Sequence, residues 1–222
     1  MSRAEAAVAR GAETDQEEAD QPGQPLAGRS LSGEKAQRII EAMRRSVARR
    51  GAAGSTFDHV SREAGVSRGL LHYYFGTKEQ LLVEAVRRDC EVRMERLQDA
   101  VSQARTVDDF IDLMVQRLEE TVREDPDYVT LVFEMFTLSR RNPEVADEYA
   151  ELMRRTRGQL AEMLAAAEGL GIIHLHAEPD AVAEILFALA DGFALRMLSE
   201  PEKDFATATE AGKLMARALF GD

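Results

Sequence analysis

The sequence predicts an all-α protein, and three observations carry that reading. Apolar residues recur at intervals of three and four along most of the chain, the period of one helix face. Of the six prolines, Pro126, Pro143, Pro179 and Pro201 punctuate such runs, as helix-boundary residues do and strand-interior residues do not. The single stretch with strand character, residues 169–178 (GLGIIHLHAE), is too isolated to form a sheet.

Residues 1–32 are rich in Ala, Glu, Gln, Gly and Pro and lack any apolar period, so they are expected to form a disordered tail. From Gly33 the pattern becomes helical: Ile39, Ile40, Met43 and Val47 share one face until Gly51 and Gly54 stop the run. A second helix starts at Ser55-Thr56, where a hydroxyl can accept from first-turn amides, and turns Phe57, Val60 and Ala64 inward. Gly65 ends it, because a residue without Cβ can take the left-handed conformation that turns the chain sharply. Val66 fills the space between helices, and Ser67 caps a third helix whose inner face is Leu70, Leu71, Tyr74 and Phe75. Its outer face is Arg68, Gly69, His72 and Tyr73, a set able to enter a DNA major groove.

A long helix follows from Lys78 to about Gln103, with Leu81, Leu82, Ala85, Val86, Val92 and Leu97 on its apolar side. Five more are expected from Val107 to Glu124, Pro126 to Ser139, Pro143 to Glu168, Pro179 to Leu198 and Asp204 to Phe220. The division that results is a tail (1–32), a helix-turn-helix domain (33–78) and a helical domain (79–222).

The net charge of −12 would oppose nucleic-acid binding if it were spread evenly. It is not: Glu34 to Lys78 holds nine Lys/Arg against four acids, a local +5, which leaves −17 for the rest. Charged helix faces are commonly just solvated, so the surplus alone decides nothing. The lone Cys90 cannot form an intramolecular disulfide. The first residues lack the apolar core of a signal peptide, and no run of apolar residues is long enough to span a bilayer. A cytoplasmic protein is expected.

The stretch AGVSRGLLHYYFGTKEQLL (Ala64–Leu82), with the helix that begins near Lys35, resembles the TetR family of bacterial transcriptional regulators. It combines small residue, glycine, capping serine, aromatic cluster and Lys-Glu-x-Leu at fixed offsets. Leu70 stands where a Thr is frequent and His72 where a Tyr is frequent, departures that bear on the operator sequence. The resemblance implies an N-terminal three-helix DNA-binding domain followed by a helical ligand-binding and dimerisation domain. It implies that Thr56, Tyr73 and Lys78 hold phosphates, with Ser67 as cap or phosphate contact, while Arg68, Gly69 and His72 reach base edges. Arg44, Arg45, Arg49 and Arg50 either add attraction for the backbone or are merely solvated.

A single helix-turn-helix covers half a site, so a homodimer on a palindromic, double-stranded operator is expected. By the resemblance its interface is a four-helix bundle of the last two helices, with Ile185, Leu189, Phe193, Leu214 and Ala218 as candidates and small residues such as Ala183, Ala190, Gly192 and Ala194 permitting close approach. Met114, Phe133, Phe136, Met163 and Phe187 are the candidate lining of an effector pocket, although such side chains also build ordinary cores. The effector itself is unidentified.

Other chemistry is weakly supported. His174 and His176, with Glu178 nearby, make a single His-x-His without a third ligand at known metal-binding spacing. Cys90 lies between Asp89 and Glu91, which oppose a thiolate. Gly169-Leu170-Gly171 lacks the third glycine and preceding strand of a dinucleotide loop. No enzyme activity, metal or cofactor is therefore expected. The rival reading is a helical ligand-binding or scaffold protein whose helix-turn-helix packs against protein instead of DNA.

Overall fold

A computed structural model describes residues 33–221. The expected tail, residues 1–32, lies outside the described residues. Among those described, nine helices and no strand are found, and side chains at the expected places set most of the starts. Helix α1 is Glu34–Gly54, α2 Phe57–Ala64, α3 Arg68–Phe75, α4 Lys78–Val101, α5 Val107–Glu124, α6 Pro126–Ser139, α7 Pro143–Gly169, α8 Pro179–Ser199 and α9 Ala206–Phe220. Thr56, Ser67, Thr77, Thr106, Asp125 and Asn142 each accept from a backbone N–H of the first turn that follows, satisfying donors a helix cannot satisfy itself. Thr77 and Thr106 complete reciprocal boxes with Gln80 and Asp109.

The stop expected at Gly51 is a kink: its φ of 68° and ψ of 169° break the helical path of α1. The amide of Ala52 beyond it is held from a distance, donating to Oε2 of Glu134 on α6 at 2.8 Å. Ser46 and Ser55, both buried, close the same corner, Ser46 Oγ donating to Ser55 Oγ at 2.9 Å and Ser55 Oγ to the Gly51 carbonyl at 3.0 Å. The strand-like stretch is an extended connection instead of a sheet. Its amides at His174 and His176 donate to the carbonyls of Phe220 and Leu219, at 2.7 and 3.2 Å, so it lies along the end of α9 and leaves that helix's last carbonyls satisfied.

Packing crosses the boundary drawn from the sequence at residue 78. One core joins Ile39, Ile40, Met43 and Val47 of α1 and Leu71 of α3 to Leu81, Leu82 and Val86 of α4, Leu131 and Met135 of α6, and Val145 and Leu152 of α7. A second core, around Phe110, Ile111, Leu164, Val182 and Phe220, occupies the far end, where the Phe110 and Phe220 rings meet edge to face at 5.7 Å. The helix-turn-helix thus shares its hydrophobic support with the larger half.

Charge also crosses that boundary. Arg44 of α1 points into the interface, with Nε 2.7 Å from Asp89 Oδ2 on α4 and Nη2 2.5 Å from Asp125 Oδ2 at the start of α6. Burial pushes the Asp89 carboxyl from 3.8 up to about 6, against the opposite pull of Arg44 and Arg93. The folded state therefore holds this proton to a higher pH than the unfolded chain does. Stability from this group is greatest below the unfolded value and falls as pH rises through the folded one. Acidification from neutrality to about pH 5 should raise the wild type's stability relative to Asp89→Asn by about 1–3 kcal/mol. Urea melts of both proteins across that range read the difference.

Candidate nucleic-acid interface

Helices α2 and α3 are eight residues each, too short to hold without tertiary support, and the turn between them fixes their crossing. Gly65 ends α2 with φ 67° and ψ 38°, and its N–H reaches back to the Ser61 carbonyl. A Cβ placed there meets nothing within 4 Å, so only the backbone conformation demands glycine. Gly65→Val should then cost about 1–2 kcal/mol through the left-handed backbone alone, and Gly65→Asn clearly less. Differential scanning calorimetry of the two variants separates this from a steric effect, which would penalise both.

On α3 the inner and outer faces separate as expected except at Tyr74, which is half-buried but stands against Tyr73 outside the core. Leu71 is fully buried, and Val66, Leu70 and Phe75 pack half-buried against the first core. Arg68, Gly69, His72 and Tyr73 are exposed, and Gly69 has open space on its outer side. The Tyr73 ring, 51% exposed, stands edge-on to Tyr74 at 5.0 Å. Arg68 is oriented from two directions: Nη1 donates to Asp58 Oδ1 of α2 at 3.2 Å, and Nε to His72 Nε2 at 3.3 Å. His72 Nδ1 lies 3.2 Å from the Gly76 carbonyl. With Nε2 accepting from Arg68, Nδ1 must carry the proton and donate to that carbonyl, which fixes the neutral tautomer. The imidazole also packs edge-on against Phe57, centroids 4.7 Å apart. The guanidinium and the imidazole are thus held in a fixed relation on the exposed face of α3.

The residues assigned to phosphates occupy less uniform positions. Thr56 and Ser67 are exposed N-caps, their hydroxyls accepting from His59 and Leu70 amides at 3.3 and 3.2 Å. Lys78 is at the first turn of α4, but its Nζ donates to the carbonyls of both Ala52 and Ala53, 3.2 Å each, at the end of α1. That ammonium ties α4 to the kinked segment. Of the arginines on α1, Arg44 is in the interior network, and Arg45 and Arg49 converge on Glu63 at 2.7 and 2.5 Å. Burial pushes the Glu63 carboxyl up, but hydrogen bonds from Arg49 and Arg45 outweigh it and hold it below the usual range. Arg50 is exposed.

In the larger half, a cavity of about 270 Å³ opens between α4, α5, α6, α8 and α9. Met114, Phe133 and Phe187 line it as expected, with Leu118, Tyr128 and Phe193 among their neighbours. Phe136 and Met163 are corrections. Phe136 follows Phe133 by about one turn but is 48% exposed and turned toward Tyr149 on α7, and Met163 packs against the second core.

The last two helices leave an apolar surface uncovered. Ile185, Leu195, Leu214 and Met215 are all about half exposed or more, and Ala188, Gly192, Ala211 and Ala218 lie exposed between them. Of the candidate interface residues, Ile185, Leu214 and Ala218 are on this surface, whereas Leu189 and Phe193 are half-buried and line the cavity. Two of the small residues, Ala183 and Ala194, are buried inside the chain's own cores. Leu195 lies midway between Phe193 and Met197, two residues from each, and so falls on the side of the helix opposite their stripe. Glu134 gave no local signal, since its partner lies far away in the chain.

Two family descriptions match the chain: bacterial regulatory proteins of the tetR family over residues 39–85, and the C-terminal part of BetI-type transcriptional repressors over residues 107–220. The HTH-type transcriptional regulator PksA of Bacillus subtilis is 27% identical over 169 residues, which span 74% of this chain and 79% of PksA. The HTH-type transcriptional repressor AcnR of Corynebacterium diphtheriae is 24% identical over 180 residues, 81% of this chain and 90% of AcnR. Among solved structures, Salmonella enterica GusR aligns with a TM-score of 0.70 at 20% identity, covering 85% of this chain and 97% of its own. A transcriptional regulator from Saccharomonospora viridis, solved in complex with choline, aligns with a TM-score of 0.63 at 21% identity, covering 84% and 98%. Likeness at these identities is a likeness of fold.

Proposed function

Because the chain belongs to the TetR family of bacterial regulatory proteins, we propose that it is a DNA-binding repressor that grips a palindromic operator as a homodimer and releases it when a small molecule fills the cavity. The observation that carries this reading is the exposed face of α3, where Arg68 and His72 are mutually oriented while Leu71 anchors the opposite side. An α-helix with that division fits the major groove, and an arginine aimed from it suits a guanine edge. The exposed apolar surface of α8 and α9 supports pairing with a second copy, which would place two recognition helices on one side of the duplex. No helix among the described residues is long and apolar enough to cross a membrane, and we place the protein in the cytoplasm with its DNA.

Selection of bound duplexes from random DNA, followed by fluorescence anisotropy on the winning sequence, tests the reading. A symmetric sequence should emerge. Arg68→Ala and His72→Ala should each cost about 1–3 kcal/mol on that sequence and relax the preference at one position per half-site, with little change on unrelated DNA. Retention of full specificity by both variants would favour the rival, a helix-turn-helix that packs against protein.

A further inference from the structure

The cavity has a charged end whose hydrogen-bonding capacity is only partly used. Most of its wall is apolar, yet Arg93 from α4 and Arg117 from α5 reach it. Arg93 bonds Asp125 through Nη2 and lies 3.4 Å from Thr121 Oγ1 through Nη1, its guanidinium stacked 3.9 Å over the Tyr128 ring. Arg117 pairs Glu120 through Nη2 at 2.7 Å. The Nε of each is buried and has no hydrogen-bond partner among the described residues. Thr121 follows Arg117 by one helical turn, so Arg117 and the group that Arg93 touches share a face of α5. Two permanently charged groups thus each leave a buried donor unmatched beside an apolar chamber, which is costly unless a ligand oxygen completes them.

The acids on the wall do not compete for that place. Glu119 pairs Arg123 at 3.7 Å and accepts from Thr209 at 3.3 Å. Burial pushes the Asp191 carboxyl up toward its neutral form, with Arg157 pulling the other way.

We propose that the effector is an apolar molecule ending in one carboxylate-like anion, received by Arg93 and Arg117, and that this anion signals by displacing Asp125 from Arg93. This rests on the reading of the chain as an effector-controlled regulator. Nε and Nη2 form the edge of a guanidinium that holds a carboxylate through two parallel bonds. On Arg93, Nε is unpaired but enclosed and Nη2 is engaged by Asp125, so a carboxylate that takes the Nε–Nη2 edge must turn the guanidinium and release Asp125. The same Asp125 oxygen is the one bonded by Arg44 of α1. Filling the charged end therefore changes the partners of a side chain in the DNA-binding half.

The test uses the full chain, the selected operator, and three matched probe series: straight-chain carboxylates from hexanoate to tetradecanoate, the alcohols, and the alkyltrimethylammoniums. Calorimetry reads binding and anisotropy reads operator release. The best carboxylate should bind at least about tenfold more tightly than its alcohol, the scale of a charge-assisted hydrogen bond. Arg93→Met and Arg117→Met should each remove that advantage and leave the alcohol's affinity unchanged. Asp125→Asn, which keeps an N-cap for α6, should bind carboxylate but lose most of the operator response. Should Arg93→Met not fold, Arg117→Met and Arg93→Lys carry the comparison. Alcohols or ammoniums that match the carboxylates, or an advantage that survives both arginine changes, overturn the anion assignment. Normal release in Asp125→Asn overturns the signalling route. Ammonium binding with release would leave effector control intact while sinking this proposal. Silence from every probe on a bound operator overturns the proposal, and absence of operator binding overturns the regulator reading itself.

Discussion

Ile185→Glu combined with Leu214→Glu should convert a dimer to monomers and weaken operator binding by at least about a hundredfold. Both side chains are more than half exposed in the single chain, 51% and 63%, so glutamate there costs the isolated fold little. Two-fold symmetry brings every substitution into the contact twice, so four carboxylates would enter an apolar seam. Each unpaired charge buried in this way costs about 3–5 kcal/mol, more than such an interface can absorb. A monomer then meets the operator with one recognition helix in place of two and loses the gain of simultaneous engagement. Sedimentation velocity reads the first effect and anisotropy the second. A variant that remains dimeric would move the interface elsewhere.

Leu71→Ala should lower the melting temperature by roughly 5–15 °C and abolish specific DNA binding at physiological temperature. Leu71 is the one residue of α3 with no exposure, and an eight-residue helix has no stability of its own. Removing its buried methyl groups costs about 2–5 kcal/mol. The loss falls on the helix that would carry Arg68 and His72, so affinity drops through misplacement and not through a missing contact. His72→Ala is the control, with the sequence preference altered and the melting temperature lowered by no more than about 4 °C, since it loses the edge contact with Phe57 and the bond to the Gly76 carbonyl. A calorimetric trace of Leu71→Ala that splits into two transitions would mean the halves unfold separately, contrary to the shared core.

Much of this arrangement can be read in the sequence where the controlling chemistry is local. Asp125-Pro126 and Asn142-Pro143 place a capping side chain directly before a residue suited to the first helical turn, and both helices begin at the proline. Gly65 announces its turn because residues other than glycine, asparagine apart, take that conformation only at a cost. The failures share the opposite property. Lys78 in sequence is a cation at a helix start, and nothing nearby says that the carbonyls of Ala52 and Ala53 will occupy its ammonium. Phe136 and Phe133 are equally apolar, and only the angle at which α6 meets its neighbours sends one into the cavity and the other toward the surface. Arg44 looks like one member of a basic stripe, yet Asp89 and Asp125 lie far along the chain.

The core that α1 shares with α6 also bears on how this protein could be reused as a sensor. Exchange of reading heads between regulators is attractive because it would couple a chosen input to a chosen promoter. Here the segment 33–78 does not end at its own surface. Cut free, it would bare Ile40, Met43 and Val47 and strand Arg44 and the Ala52 amide without Asp89, Asp125 and Glu134. A productive graft must therefore carry the matching strip of α4 and α6 with the head, so that the unit of exchange is a seam and not a domain.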